Sequence, residues 1–280
     1  MRRASRVQSE IRKKDLVYKR IPFPRVLRVS SCLRGSVVLG ALLSTGVGAA
    51  GDVVITPLVH SSVQIEGDGK VVQIDPWSRA DLSRAKPADL ILVTDDPIHH
   101  LDPKAIERLR KPGAPVLLPA ASHAKFADGT TIANGETKTV AGVAVQAVAA
   151  YDIKPGEPSH PKGKANGYVV TLGWKRIYFA GVTECVPEVR ALGDIDVAFV
   201  PMNLPLERMT PPAAAECVNA FKPKAVYLYH YDQSWAGSGT PMPNRAETID
   251  AFRKALAPGI EFRDAAWYPT GRNEELGIKN

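Results

Sequence analysis

The chain has 280 residues, of which 45% are hydrophobic and 23% charged, as in an ordinary globular protein. Its formal net charge of +7 would favour a polyanionic partner if the basic residues were spread over the whole chain. Instead, residues 1–50 contain 11 Lys and Arg against two Asp and Glu, which leaves residues 51–280 with a net charge of −2. We therefore exclude nucleic acid as a partner.

Residues 1–50 have the features of an export signal. Ser36–Ala50 is an uncharged, largely apolar run that follows Arg34 and ends in small residues. A transmembrane helix needs about 20 apolar residues, so this shorter run suits the apolar segment of a signal peptide better. We expect cleavage near Gly51, a periplasmic or secreted protein, and no stable membrane insertion after processing. The alternative is a buried apolar helix.

Two cysteines, Cys185 and Cys217, lie after the expected leader. One pair is too few for a disulfide framework, so the sequence favours two buried thiols. Cys32 precedes the apolar run and is therefore not placed as a lipoprotein cysteine.

Residues 51–280 show short strand patterns first and helices interleaved later. The predicted strands are Val53–Leu58, Ser61–Ile65, Val71–Asp75, Asp89–Thr94, Pro115–Leu118, Val143–Ala149, Tyr168–Leu172, Arg176–Ala180, Val197–Val200 and Ala225–Tyr229. The predicted helices begin after Asp102, a good N-cap, and at Pro187–Leu192, Pro211–Phe221 and Ala246–Leu256. Because no long linker interrupts this order, we expect one α/β domain with two sheets flanked by helices.

Histidines follow three of the predicted strands. His99 and His100 come after Asp89–Thr94, His160 follows the loop after Val143–Ala149, and His230 follows Ala225–Tyr229. Polar groups on loops above a rigid sheet converge on ligands, and imidazole is the commonest transition-metal ligand. The three places together favour a shared metal site. The alternative is that each histidine is a separate, hydrogen-bonded structural residue.

Several segments taken together resemble the metallo-β-lactamase superfamily, and the ascorbate-6-phosphate lactonase-like hydrolases within it. The segments are Ile55–Ile65, ILVTDDPIHHLDP, HPKGKANGYVVTLGWKRIYFAGVTE, DIDVAFVPMNLP and AVYLYHY, which occur in the family's order over residues 52–232. The resemblance implies a four-layer αβ/βα sandwich with a metal site at the sheet edges and a small-molecule substrate.

The family's T-H-x-H-x-D-H motif is altered in this chain. Asp95 occupies the first His position and can still ligate through oxygen, whereas Pro97 occupies the second and has no ligating atom. His99 stands in place of the motif's Asp, and His100 keeps the final His.

Outside this motif, His160 and His230 match the two downstream His positions of the family. Val182 replaces the Asp that bridges two metals. Two neighbouring dications need a bridging anion to offset their repulsion. The resemblance therefore implies one divalent metal ion, most simply zinc.

We expect that metal to be held by some of Asp95, His99, His100, His160 and His230. One arrangement uses His99, His100 and His230 and leaves a position for water; the other is centred on Asp95 and His160. Glu184 or Asp95 would move the proton, although a solvated loop carboxylate is an equal alternative for Glu184. His60 is expected to support the site rather than to ligate.

The sequence thus indicates an exported metal-dependent hydrolase acting on an ester, lactone or phosphoester. A non-catalytic protein of the same fold, binding a small molecule or a partner in the old pocket, is the rival interpretation. A descendant of the family with no metal is a third.

Overall fold

Two mixed β-sheets form the framework of the protein in the computed structural model, which describes residues 52–202, 208–233 and 245–268. The expected leader lies outside the described residues. The first sheet has the strand order β1 to β6. Its strands are β1 (Val54–Val59), β2 (Ser62–Gly67), β3 (Lys70–Ile74), β4 (Leu90–Leu92), β5 (Val116–Leu118) and β6 (Thr130–Thr131). The pairs β1–β2 and β2–β3 are antiparallel, and the later pairs are parallel.

The second sheet runs in the order β13-β12-β11-β10-β9-β8-β7. Its strands are β7 (Thr137–Val140), β8 (Val143–Ala150), β9 (Ala165–Leu172), β10 (Lys175–Phe179), β11 (Val197–Pro201), β12 (Ala225–Tyr229) and β13 (Glu261–Arg263). Strands β7 to β10 pair antiparallel, whereas β10 to β13 pair parallel. The parallel strands are joined by helices, because a parallel crossover must return over the face of the sheet.

The described helices are α1 (Pro103–Leu109), α2 (Pro187–Arg190), α3 (Pro211–Phe221) and α4 (Arg245–Ala255), with a 3₁₀ turn at Ala120–Ser122. Asp102 caps α1 as expected, since its carboxylate accepts from the amides of Lys104 and Ala105. None of the described helices is long and apolar enough to cross a membrane.

Successive side chains of β4 pack into two different hydrophobic cores. Leu90 and Leu92 belong to the main core shared by the two sheets, whereas Ile91 packs with Ile106 of α1 in a separate cluster. Strand side chains alternate between the faces of a sheet, so β4 contacts the second sheet on one side and a helix on the other. Helix α3 packs against β11 of the second sheet. The expected four-layer αβ/βα sandwich is confirmed.

Cys185 and Cys217 form a disulfide, so the expectation of two buried thiols is wrong. Cys185 lies just before α2 and Cys217 lies on α3. The packing of these helices brings the two Cα atoms to 5.4 Å, within the range that a disulfide spans. The sequence separation of 32 residues gave no sign of this proximity.

Candidate metal centre

The two sheets meet where the connections after their strands come together. The amide of His230, which follows β12, donates to the carbonyl of His60, which follows β1, at 3.1 Å. The amide of Asn166 in β9 donates to the carbonyl of Thr94, which lies after β4, at 2.9 Å. Backbone from both sheets therefore fixes the histidines at this edge.

Three residues at this edge have left-handed backbone although none is glycine. The φ angles are +57° at His60, +43° at Asp75 and +52° at His230. Such angles are uncommon for non-glycine residues and persist where the surrounding structure holds them. Each residue immediately follows a strand, so the turn in the backbone redirects its side chain towards the centre.

Four imidazoles form what we call the histidine cluster: His60, His99, His100 and His230. The ring centroids of His60 and His230 are 4.0 Å apart, and those of His99 and His100 are 4.4 Å apart. The Nε2 atoms of His100 and His230 are 3.1 Å apart. Among the described residues, His60, His99 and His230 offer ligand atoms that all lie within 4.8 Å of one another. This convergence is the arrangement that a metal ion requires.

A chain reversal lets the adjacent residues His99 and His100 point into the same cluster. In an extended strand, neighbouring side chains would point to opposite faces. Here the amides of His100 and Leu101 both donate to the carbonyl of Pro97 at 2.8 Å. The chain has therefore turned before it enters α1.

Asp75 supports the cluster from behind. Its Oδ2 lies 2.7 Å from Nδ1 of His100, and both carboxylate oxygens accept from Thr94, one from the amide and one from the hydroxyl. A carboxylate bonded to one ring nitrogen orients the imidazole and directs the other nitrogen towards a metal. Gln233 holds His230 in the opposite sense, because its Nε2 donates to Nδ1 of His230 at 3.0 Å.

Burial keeps the imidazoles of the cluster in their neutral form. It lowers the pKa of His99 to about 2 and that of His100 to about 4, in the second case against the opposing charge of Asp95. The pKa values of His60 and His230 also fall well below the ordinary value, first through burial and then through the neighbouring histidines. Burial raises the pKa of Asp75 to about 8. Neutral imidazole is the form that binds metals.

A second group, which we call the ion-pair network, lies beside the cluster: Asp95, Asp152, His160, Glu184 and Arg208. His160 lies between two carboxylates, 3.6 Å from Asp95 and 3.5 Å from Asp152. Arg208 pairs with Asp152, and its Nε lies 3.7 Å from Glu184. The three carboxylates of this network therefore already have cationic or imidazole partners.

Glu184 holds the loop between β8 and β9. Its Oε2 accepts from the amides of Ile153 and Lys154, each at 2.6 Å, while Oε1 faces Arg208. The carboxylate is buried rather than solvated. These contacts describe a positioned carboxylate; its role in moving a proton stays a prediction.

The structure thus divides the predicted ligands into two groups. It brings His99, His100 and His230 together, and it places Asp95 and His160 in contact with each other in the ion-pair network. Asp75, Asp152 and Arg208 were not among the site residues predicted from the sequence, and His60 was predicted only to support the site. Asp75 ends a predicted strand, which was the one signal available for it.

Comparison with known proteins agrees with this geometry. The family model described as "Beta-lactamase superfamily domain" matches residues 54–230. The chain belongs to the metallo-β-lactamase superfamily.

Within this superfamily the chain is similar to proteins called UPF0173 metal-dependent hydrolases. That of Thermococcus onnurineus is 30% identical over 218 residues, which is 73% of this chain and 92% of the relative. That of Pyrobaculum arsenaticum is 28% identical over 196 residues, covering 62% of this chain and 81% of the relative. A solved structure from Parabacteroides distasonis, described as a candidate metal-dependent hydrolase, has 35% identity and a TM-score of 0.68. It covers 77% of this chain and 94% of its own.

Proposed function

We propose that the protein is a metal-dependent hydrolase that holds one divalent ion, zinc by preference, in the histidine cluster. Its substrate class is a small ester, lactone or phosphoester. The observation that carries the proposal is the convergence of neutral imidazoles from both sheets, with Asp75 hydrogen-bonded to that of His100. The description of the similar proteins as metal-dependent hydrolases supports it.

The donor set fits a borderline metal such as zinc. Imidazole nitrogen suits zinc, copper, iron and nickel, whereas magnesium, calcium and manganese prefer oxygen ligands. The Nε2 atom of His60 is buried without a hydrogen-bond partner among the described residues, so no protein group competes with a metal for it there.

One ion, rather than two, is favoured by the residues around the cluster. Val182, in the position of the family's bridging carboxylate, is a buried apolar side chain. Asp95 and His160, which would hold a first metal in the family, contact each other. Nearby, Arg208 brings a positive charge to Asp152 and Glu184, where a second dication would be repelled.

The chain's own residues would orient the ion and move a proton. When bound, a divalent ion lowers the pKa of a water molecule and polarises an ester or phosphoester oxygen. Asp75 and Thr94 hold the ring of His100. Asp95 is the better placed proton acceptor, because its buried Oδ2 faces only the imidazole of His160, at 3.6 Å and without a hydrogen bond, whereas both oxygens of Glu184 are engaged.

Export forms part of the same proposal. The apolar run in residues 1–50 is typical of a signal peptide. The disulfide between Cys185 and Cys217 supports this location, because disulfides persist mainly in oxidising compartments such as the periplasm.

The test is a metal titration of wild type and single histidine variants. We expect one tightly bound ion per chain, its loss in His100→Ala and His230→Ala, and a smaller effect in His160→Ala, whose ring contacts Asp95 and Asp152. Two ions that survive dialysis would contradict the stoichiometry. Loss of the ion in His160→Ala but not in His99→Ala would place it beside Asp95 instead.

A matched activity assay separates the hydrolase from a binding protein of the same fold. Generic lactones and phosphodiesters are offered to the metal-loaded protein with and without chelator. We expect chelator-sensitive hydrolysis. A loaded protein that cleaves neither class would favour the non-catalytic interpretation.

A further inference from the structure

His60 occupies a strained position in the fold. It lies in the two-residue connection between β1 and β2, with φ at +57°. Tight hairpin connections that need positive φ favour glycine or asparagine, so another residue there is strained. The imidazole is also fully buried. A large polar side chain in such a place indicates a function that the hairpin itself does not require.

One ring nitrogen of His60 has a hydrogen-bond partner, and the other has none among the described residues. Nδ1 lies 2.7 Å from the hydroxyl of Tyr268, whereas Nε2 is buried with no hydrogen-bond partner among the described residues. A buried nitrogen left without a hydrogen bond is destabilising, because it has lost its contact with water and gained none in exchange. A hydrogen bond at Nδ1 is also what fixes the ring of a histidine that ligates through Nε2.

The neighbours of His60 are the ligands expected from the sequence. Its ring centroid is 4.0 Å from that of His230 and 5.2 Å from that of His99, and Trp77 lies 5.8 Å away on another side. The ligand atoms of the three histidines all lie within 4.8 Å of one another. A purely packing role beside Trp77 would account for burial but not for the unpaired nitrogen or this convergence.

We propose that His60 is a metal ligand and that, with His99 and His230, it forms a three-imidazole site that makes up for ligands lost at positions 97 and 182. His100, whose Nε2 lies 3.1 Å from that of His230, positions His230 in this site, so its removal also costs the ion. This inference rests on the proposed function, since it concerns the same ion. A nitrogen-only set of three ligands takes zinc, cobalt, nickel or copper and discriminates against magnesium, calcium and manganese. It leaves a coordination position for a water molecule.

The test is the zinc affinity of the full chain, measured by competition with a chelator. The variant is His60→Asn, because asparagine tolerates positive φ and so preserves the hairpin. We expect its zinc affinity to fall at least about 100-fold. That of Tyr268→Phe, which loses the contact to Nδ1 and the hydrogen bond accepted from the amide of Asp232, should fall about 10-fold. His123→Ala, which removes an exposed imidazole, serves as the matched control and should leave the affinity unchanged.

The outcomes distinguish this inference from the proposed function. If wild type binds zinc tightly and the affinity is unchanged in both His60→Asn and Tyr268→Phe, the role of His60 is overturned and the proposed function is not. Wild type that binds no ion overturns both. Displacement of zinc by equimolar magnesium overturns the nitrogen-only ligand set. Should His60→Asn unfold in the metal-free state, Tyr268→Phe decides the question by the same titration.

Discussion

Asp75 shows how one carboxylate can set the geometry of the whole centre. It contacts the amide and hydroxyl of Thr94 and the ring of His100, and its own backbone is left-handed with φ at +43°. The residue thus joins the end of β3 to the segment that follows β4. Its hydrogen bonds and its position both bear on the orientation of His100.

Asp75→Asn should therefore lower metal affinity without removing a ligand. The amide keeps the size of the carboxylate and tolerates the left-handed backbone, but it presents a weaker acceptor to His100. We expect an affinity about 10–100-fold lower, measured by chelator competition.

Asp68→Asn is the matched control for this prediction. Asp68 is also a left-handed aspartate after a strand, and its carboxylate accepts from the amide of Gly173 in the turn between β9 and β10. An equal loss of metal affinity in both variants would show that Asp75 acts through general stability alone.

The sequence predicted some residues of the site, and the reason is local chemistry. His99, His100 and His230 follow apolar strands, so their place at the sheet edge could be predicted. Asp152 and Arg208 lie in loops without such a pattern, and only the folded chain brings them to His160. The left-handed turn at His60 could not be predicted from the sequence, because most histidines have negative φ even though histidine adopts positive φ more often than most residues.

At the scale of elements, the disulfide constrains the helices on the second sheet, because it links α3 to the segment before α2. Cys217 lies on the buried side of α3, which also packs against α4. The disulfide closes a loop over the 32-residue separation that includes α2 and β11. Closing such a loop removes freedom from the unfolded chain.

Replacing both cysteines by serine should lower the free energy of unfolding by about 2–4 kcal/mol. Denaturant unfolding with and without a reductant measures this difference. Wild type should lose stability when reduced, and the double variant should be insensitive to the reductant. Equal stability of oxidised and reduced wild type would indicate that the disulfide does not form in solution.

The strands and helices of the core were predictable because their patterns are strong. Helix α3 has the predicted bounds, Pro211–Phe221, since two prolines mark its start. The short edge strand β6, which is exposed, and β7 were not predicted. Their residues carry little apolar alternation, and their pairing is decided by neighbours that are distant in sequence.

At the scale of the whole molecule, the concentration of basic residues before position 51 leads to a prediction about processing. The exported chain should begin near Gly51, because the apolar run ends in small residues there. Intact-mass analysis of protein from the periplasm or medium measures the mature N-terminus. A cytosolic protein whose mass retains residues 1–50 would contradict export.

The hydrogen bond from the amide of His230 to the carbonyl of His60 has a thermodynamic consequence. An ion shared by these two residues would span the same seam between the sheets, so opening the seam and releasing the ion become one linked equilibrium. At a free concentration 100 times the Kd, ligand binding adds about 2.7 kcal/mol to the free energy of unfolding. The stability of the sandwich would then report the supply of metal around it, and a chain deprived of its ion would be the one most easily opened and degraded.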